Sequence, residues 1–301
     1  MISLSSELES LRPLLGEVRT NALLAHDRRE VFSLYPELRI CAWGGAMLLA
    51  TAAGVVLTNN LERIGPVALA LMMGVAALAC YAFVWWRRKR ASLVDDFVLL
   101  LGALLVSADV AFVESQFHLF GDAWYRHFLI LAVAHGVGAY VFHSRTLLSL
   151  AITALAGWLG LRGIFDSGGP ADYAMRAFSC AALVLMARFA NRREEFHGTY
   201  EHFVAMLALL GGITLTLDDT YWSGACVLTM LLAAAIVGWG FRTRREPFVL
   251  YAFLCGVLAF DIFFARLFRG DIAIFFLLVV STIGAIVALF VLHARFKEGR
   301  A

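Results

Sequence analysis

Charged residues are scarce in this chain, and their scarcity excludes an ordinary soluble domain. Asp, Glu, Lys and Arg make up only 16% of the 301 residues, whereas soluble domains carry about a quarter. Hydrophobic residues reach 61%, and the mean hydropathy is +0.79. The composition therefore predicts one integral membrane protein in direct contact with the lipid bilayer.

Catalytic and metal-binding signatures are also lacking. The chain contains no H-E-x-x-H, G-x-S-x-G or S-x-x-K pattern. Its five cysteines stand singly, without a C-x-x-C pair, so neither a disulfide framework nor a zinc site is indicated. We expect no cofactor and no nucleic-acid binding, and an intramembrane enzyme ranks third among the possible functions.

Long apolar stretches account for nearly the whole chain. Because about 20 apolar residues cross a bilayer as a helix, the sequence predicts an all-α protein with ten transmembrane helices in five antiparallel hairpins joined by short loops. The predicted spans are Ile40–Thr58, Ile64–Trp86, Val94–Val113, Tyr125–Phe142, Thr146–Phe165, Tyr173–Phe189, Tyr200–Leu217, Tyr221–Phe241, Pro247–Phe264 and Ile272–His293.

The basic residues are distributed unevenly between the loops. Nineteen of the 25 lie in the N-terminal segment, in the loops after the even-numbered spans or in the C-terminal tail. Under the positive-inside rule, this asymmetry predicts that both termini are cytoplasmic. We expect the protein to reside in a bacterial inner membrane.

Three regions are predicted: a leader at residues 1–39, the membrane domain at 40–294 and a cytoplasmic tail at 295–301. Ser6 and Glu9 form a helix-capping pattern in the leader. An amphipathic leader can lie on the membrane or dock a partner, or it can simply pack beneath the first span; both interpretations stay open.

Glycines recur at equivalent places in the spans that run from the inside to the outside. The spacing is about 55 residues and shortens in the last unit, at Gly44, Gly102, Gly157, Gly211 and Gly256. This pattern indicates an internal repeat of two helices, although small residues at helix contacts are common in any membrane bundle.

Two segments carry a resemblance to a known family. LTNNLERIGP at residues 57–66 and LLLGALLVSADVAFVESQFHLFGDAWYRHFLILAVA at residues 99–134 resemble the bacterial multi-pass proteins grouped as domain of unknown function 2157. The matching residues are Asn60, Ile64, Pro66, Gln116, His118, Gly121 and Asp122, while Leu61 stands where the family usually has Trp. The resemblance covers about residues 5–165 and implies the topology without an activity.

Ionisable side chains at bilayer depth are costly and are therefore functional candidates. A group of polar residues is predicted near the outer ends of the spans: Asp109, Glu114, Gln116, His118, Asp218 and Asp261. Together they can form an outward-facing acidic site for a small cation, an amine or a proton. The alternative is that Asp109 and Asp261 form buried ion pairs with Arg162, Arg126 or Arg266 that only stabilise packing.

Other polar residues are interpreted as structural. His135 lacks a partner at ligand spacing and is expected in the core, and Asp95 and Asp96 suit the start of a helix. The leading functional hypothesis is a permease or binding protein for a small molecule or ion. The competing hypothesis is an accessory or scaffold subunit with a membrane protein partner, and a homodimer is compatible with both.

Overall fold

The computed structural model describes residues 65–87, 93–123, 125–161, 168–268 and 271–298, together with ten positions between 41 and 55. The leader, residues 299–301 of the tail and nine of the 19 residues of the first predicted span lie outside the described residues. In chain order the helices are α1 (Pro66–Arg87), α2 (Leu93–Phe117), α3 (Arg126–Phe142), α4 (Arg145–Trp158), α5 (Gly169–Ala190), α6 (Glu194–Leu215), α7 (Trp222–Thr243), α8 (Glu246–Leu267) and α9 (Asp271–Glu298). A short 3-10 turn follows α2 at Gly121–Ala123, and the described residues contain no β-strand.

Six of these helices are long and apolar enough to cross a membrane, which confirms an all-helical membrane protein for the described part of the chain. They are α1, Val94–Phe117 of α2, α5, α6, α7 and α8. Shorter apolar helices are α3 with 17 residues, α4 with 14 residues and Leu278–Val291 within α9. The count of ten spans remains a prediction.

The fifth predicted span is shorter than expected. It was predicted to extend from Thr146 to Phe165, but α4 ends at Trp158 and the chain turns at Leu159–Gly160. Gly160 has φ +89°, a left-handed conformation that glycine adopts without a steric penalty. A glycine close to the end of an apolar run thus ends the helix early.

The chain divides into two compact units, Met1–Ala108 and Asp109–Ala301. In the first unit, Gly102 of α2 lies so close to α1 that an added β-carbon would stand 2.9 Å from Cβ of Cys80. Arg87 at the end of α1 forms an ion pair with Asp95 in the first turn of α2, with Nε and Oδ1 3.2 Å apart. The structural interpretation of Asp95 is therefore confirmed.

In the second unit the helices form close antiparallel pairs, namely α3 with α4, α5 with α6 and α7 with α8. Each pair is joined by a turn of two or three residues, with arginines in the turn or, for α3 and α4, directly after it at Arg145. By contrast α4 and α5, joined on the opposite side, touch over a much shorter length. The five hairpins predicted from the sequence would instead pair α4 with α5, α6 with α7 and α8 with α9 in this unit. A very short turn explains the observed pairing, because it holds the ends of its two helices together.

Two of these turns have the same backbone geometry. His143 after α3 and Arg244 after α7 both adopt left-handed conformations, with φ 55° and 54°. The next residue in each turn donates its backbone N–H to a helix carbonyl five residues earlier: Ser144 to Ala139 at 3.1 Å, and Arg245 to Gly240 at 3.0 Å. This Schellman-type geometry satisfies the last carbonyls of the helix and reverses the chain at once.

Four of the five repeated glycines share one structural role, whereas a β-carbon at Gly44 would have nothing within 4 Å. A β-carbon at Gly157 of α4 would stand 3.1 Å from Phe128 of α3, and one at Gly211 of α6 would stand 3.1 Å from Phe178 of α5. At Gly256 of α8 the distance to Cβ of Ala233 on α7 would be 3.2 Å. Each glycine permits the close approach of the preceding helix, as Gly102 does in the first unit.

Candidate functional site

The predicted polar residues of α2 cluster near its C-terminal end. Asp109 is half-buried within the helix, and its Oδ1 atom is shielded from solvent but accepts no hydrogen bond among the described residues. Gln116 is exposed one residue before the helix ends at Phe117. The helix thus stops just short of His118.

Glu114 is the most buried acid of this group, with 8% of its surface exposed. Both of its carboxylate oxygens lie 3.3 Å from the backbone N–H of Phe120, which serves them as a shared donor. His118 is exposed, has φ 47° and donates its backbone N–H to the carbonyl of Glu114 at 2.9 Å. The end of α2 therefore brings Glu114 and His118 together through the backbone.

Asp218 binds backbone N–H groups of the loop before α7. It lies three residues beyond the end of α6, and its Oδ1 accepts the backbone N–H groups of Thr220 at 2.9 Å and Tyr221 at 3.2 Å. Asp109, in contrast, lies within α2. Asp109 and Asp218 both follow a repeated glycine by seven residues, at Gly102 and Gly211, which predicts equivalent positions. The structure does not bear this out, because α6 ends only four residues after its glycine.

Asp261 lies in α8 and resembles Asp109 in its surroundings. Its Oδ1 is also shielded from solvent and without a hydrogen bond among the described residues. The predicted pairing with Arg266 is not found: the Arg266 guanidinium instead donates to Asp219 at 3.2 Å and to the carbonyl of Leu217 at 3.1 Å. Arg162, another of the three predicted partners, lies outside the described residues.

The six predicted residues thus form separate groups in the described structure. Among the described residues, no hydrogen bond or ion pair joins the α2 residues to Asp218 or Asp261. His135 is 2% exposed within α3. Among the described residues, no group of three or more His, Cys, Asp or Glu side chains is arranged to hold a metal ion.

A second polar cluster lies at the opposite, arginine-bearing ends of the helices. Glu201 of α6 is clamped by two arginines: its Oε1 accepts Nε and Nη2 of Arg188 at 3.1 and 3.0 Å, and its Oε2 accepts Nη1 of Arg245. The side chain of Glu201 is only 16% exposed. Two arginines around one carboxylate leave the cluster with an excess positive charge.

Sequence reasoning missed Glu201, although a signal was present. Arg192 to Phe196 read RREEF and Arg244 to Phe248 read RREPF, 52 residues apart. Phe196 is 0% exposed and Phe248 is 3% exposed, so both repeats anchor the start of a helix in the core. An acid in the second turn after such a basic motif, as Glu201 is, could have been identified as the arginines' partner.

The turn between α5 and α6 is connected to α3 by further polar contacts. Arg193 donates Nη1 to the carbonyl of Tyr140 at 2.8 Å, and its guanidinium carbon lies 5.2 Å from the centre of the same tyrosine ring. The hydroxyl groups of Tyr140 and Tyr200 are 2.9 Å apart. His143 Nδ1 lies 2.9 Å from Glu195 Oε1. These contacts fix the relative position of two neighbouring hairpins.

A cavity of about 420 Å³ lies between these turns. Its walls carry charges of both signs, including Arg145, Glu194, Arg245 and Glu246. His202 also lines it and packs edge-on against Phe248, with ring centres 5.0 Å apart. The mixture of charges does not select one class of ligand.

Comparison with known proteins identifies one family. Residues 12–148 match the family model described as "Predicted membrane protein (DUF2157)", which confirms the resemblance inferred from the sequence. The matched segment includes α1 to α3, the end of α2 with Glu114 and His118, and the start of α4. No curated protein and no solved structure matches the chain.

Proposed function

We propose that this chain, whose residues 12–148 carry the segment of the DUF2157 family of predicted membrane proteins, is an inner-membrane permease or binding protein for a small cation or a proton. One observation carries the proposal. Asp109 and Asp261 lie within apolar helices, and each has a carboxylate oxygen that is shielded from solvent and accepts no hydrogen bond among the described residues.

The energetic cost of such an arrangement supports a functional role. A buried ionised carboxylate without a partner is strongly unfavourable, and insertion scales assign about 2.5–3.5 kcal/mol to an aspartate at the centre of a membrane helix. Protonation or a bound cation removes this cost. An acid that alternates between these states is the usual element of a proton or cation pathway.

The competing packing role requires an arginine within ion-pair distance. Among the described residues, the ion pairs formed by Arg188, Arg245 and Arg266 involve Glu201 and Asp219, and none involves Asp109 or Asp261. This favours exchangeable acids over fixed ion pairs. Glu114 adds a third buried carboxylate, which has one backbone donor.

The direction of access follows from the loop charges. The positive-inside rule assigns the arginine-bearing turns to the cytoplasm, so Glu114, Gln116, His118 and Asp218 belong to the outer side. We infer that a cation or proton approaches from outside through these residues and then reaches Asp109 or Asp261.

The experiment measures proton and cation uptake into proteoliposomes that contain the purified protein. Asp109→Asn and Asp261→Asn keep the side-chain shape but remove the charge, and at least one should abolish uptake while the protein stays folded and monodisperse. Asp219→Asn is the matched control, because the side chain of Asp219 is 99% exposed. Uptake that is unchanged in both variants, or a wild-type protein without uptake of any tested cation, would overturn the proposal.

An accessory subunit is the alternative from a different class. It predicts a stoichiometric membrane partner after gentle solubilisation and no uptake by the purified protein alone. Deletion of residues 1–34 should then release the partner.

A further inference from the structure

A groove opens between α5, α6 and α7, next to the Glu201 cluster. It has a volume of about 360 Å³ and is lined mainly by apolar side chains. Ala205 and Ala208 form its α6 wall, and their small size leaves space between the larger residues Phe189 and Leu232. Arg188 and Glu201 lie on its lining as well.

The polar and apolar parts of the groove are separated along the helices. Arg188 is two residues from the end of α5, at the arginine-bearing side. Glu201 and Ala208 are separated by seven residues of α6, which corresponds to roughly 10 Å along the axis. The groove therefore has a charged end near the membrane surface and an apolar end that extends toward the middle of the bilayer.

Arg188 retains hydrogen-bonding capacity at the charged end. A guanidinium has five N–H donors in a planar fork, and Glu201 accepts hydrogen bonds from Nε and Nη2 of Arg188. No other acceptor contacts the Arg188 guanidinium among the described residues. Because Arg245 also binds Glu201, the carboxylate does not neutralise the site.

We propose that this groove binds one anionic phospholipid of the cytoplasmic leaflet, with the lipid phosphate on Arg188 and an acyl chain against Ala205 and Ala208. Arginine binds phosphate through parallel hydrogen bonds. Anionic lipids are concentrated in the cytoplasmic leaflet and bind basic pockets between membrane helices on that side. This site is separate from the acidic site and does not depend on the proposed transport activity.

Trp239 of α7 lines the same groove. Its ring lies 5.9 Å from the guanidinium carbon of Arg245. Tryptophan is enriched at the depth of lipid headgroups, which is where the proposal puts the charged end of the groove. The matching depth of Trp239 and Arg188 favours a lipid over a soluble anion.

The test uses delipidated full-length protein in detergent and compares three probes: phosphatidylglycerol, phosphatidylcholine with the same acyl chains, and inorganic phosphate. Native mass spectrometry measures lipid binding, and thermal unfolding measures stabilisation. We expect one tightly bound phosphatidylglycerol, weaker binding of phosphatidylcholine and no stabilisation by inorganic phosphate.

Two variants examine the two ends of the groove. Arg188→Gln should weaken phosphatidylglycerol binding roughly tenfold or more, as expected for the loss of a charged hydrogen-bonded partner. The effect on phosphatidylcholine should be smaller, because its choline ammonium group offsets the charge of its phosphate. Ala208→Phe should fill the apolar end and reduce the binding of both lipids while leaving the Glu201 cluster intact. Arg192→Gln is the matched control, since Arg192 is an exposed arginine of the adjacent turn that does not line the groove.

Several results would overturn the proposal. Equal binding of the two lipids would show that the groove does not select an anionic headgroup. Equal phosphatidylglycerol binding by the Arg188→Gln and Arg192→Gln variants would show that Arg188 does not bind the lipid. Stabilisation by inorganic phosphate alone would indicate a soluble anion. A dimer that dissociates on Ala208→Phe would indicate that a second copy fills the groove. Each result is independent of the uptake measured for the Asp109 and Asp261 variants.

Discussion

Gly211 of α6 lies against the ring of Phe178 on α5, so closely that a β-carbon at Gly211 would stand 3.1 Å from that ring. Gly157 has the same relation to Phe128 in the preceding helix pair. A glycine on the second helix and a large ring on the first thus form a recurrent contact. It lets two helices joined by a short turn pack closely along their length.

The first prediction concerns this close approach. Gly211→Leu should lower the free energy of unfolding by about 1–3 kcal/mol or more, because the new side chain must displace the Phe178 ring in a packed interface. Thermal unfolding in detergent measures the change. Gly238→Leu is the control, since nothing lies within 4 Å of a β-carbon at that exposed position of α7. Equal destabilisation by both variants would contradict the packing role of Gly211.

The second prediction concerns the ion pairs that Glu201 forms with Arg188 and Arg245. Glu201→Gln should destabilise the protein by about 1–3 kcal/mol, because two guanidinium groups would then lie close together without their shared counter-charge. The estimate is below that for a fully buried pair because Arg245 is 40% exposed. Glu194→Gln removes an exposed acid in the first turn of the same helix and should have a much smaller effect. Adding Arg245→Gln to Glu201→Gln should recover part of the lost stability if repulsion is the cause.

The third prediction concerns the hydrogen bond between two tyrosine hydroxyl groups. Tyr200 is 5% exposed, and its hydroxyl lies 2.9 Å from that of Tyr140. Tyr200→Phe should cost about 1 kcal/mol, since it leaves the Tyr140 hydroxyl without this partner. The double variant with Tyr140→Phe should be less destabilised than the sum of the two single variants predicts. Strict additivity in this double-mutant cycle would show that the hydroxyls do not interact.

The fourth prediction concerns orientation. In a variant without native cysteines, Thr220→Cys in the loop between α6 and α7 should react with a membrane-impermeant maleimide added to intact cells. Arg192→Cys, in the turn between α5 and α6, should react only after the membrane is permeabilised. The expectation follows from the positive-inside rule. Labelling of position 192 but not of position 220 in intact cells would reverse the proposed topology and the leaflet of the lipid site.

The helices of this protein follow directly from local sequence. α7, for example, was predicted at Tyr221–Phe241 and is found at Trp222–Thr243, because an apolar segment of this length satisfies its backbone hydrogen bonds within one helix. The acids at the start of α2 were likewise predictable, since Asp95 and Asp96 favour a helix N-terminus. The early end of α4 was not anticipated, because the apolar composition continues past Gly160.

The partners of charged residues were not predictable in the same way. The sequence suggested Arg266 as a partner for Asp261, which lies five residues earlier in α8. The guanidinium instead contacts Asp219 and two backbone carbonyls in the loop between α6 and α7. Similarly, Arg188 of α5 and Arg245 of the turn between α7 and α8 both bind Glu201. Such contacts depend on the rotation and depth of each helix after packing.

The sequence by itself determined that this protein is helical, lies in a membrane and resembles DUF2157, because helix formation and lipid partitioning depend on nearby residues and their apolarity. Tertiary structure decided which helices form close pairs, which acids keep an oxygen without a donor, and where a groove opens beside Arg188. These features arise only when small residues such as Gly211 and Ala208 meet larger side chains from other helices. Packing between distant parts of the chain, rather than local composition, therefore creates the candidate sites.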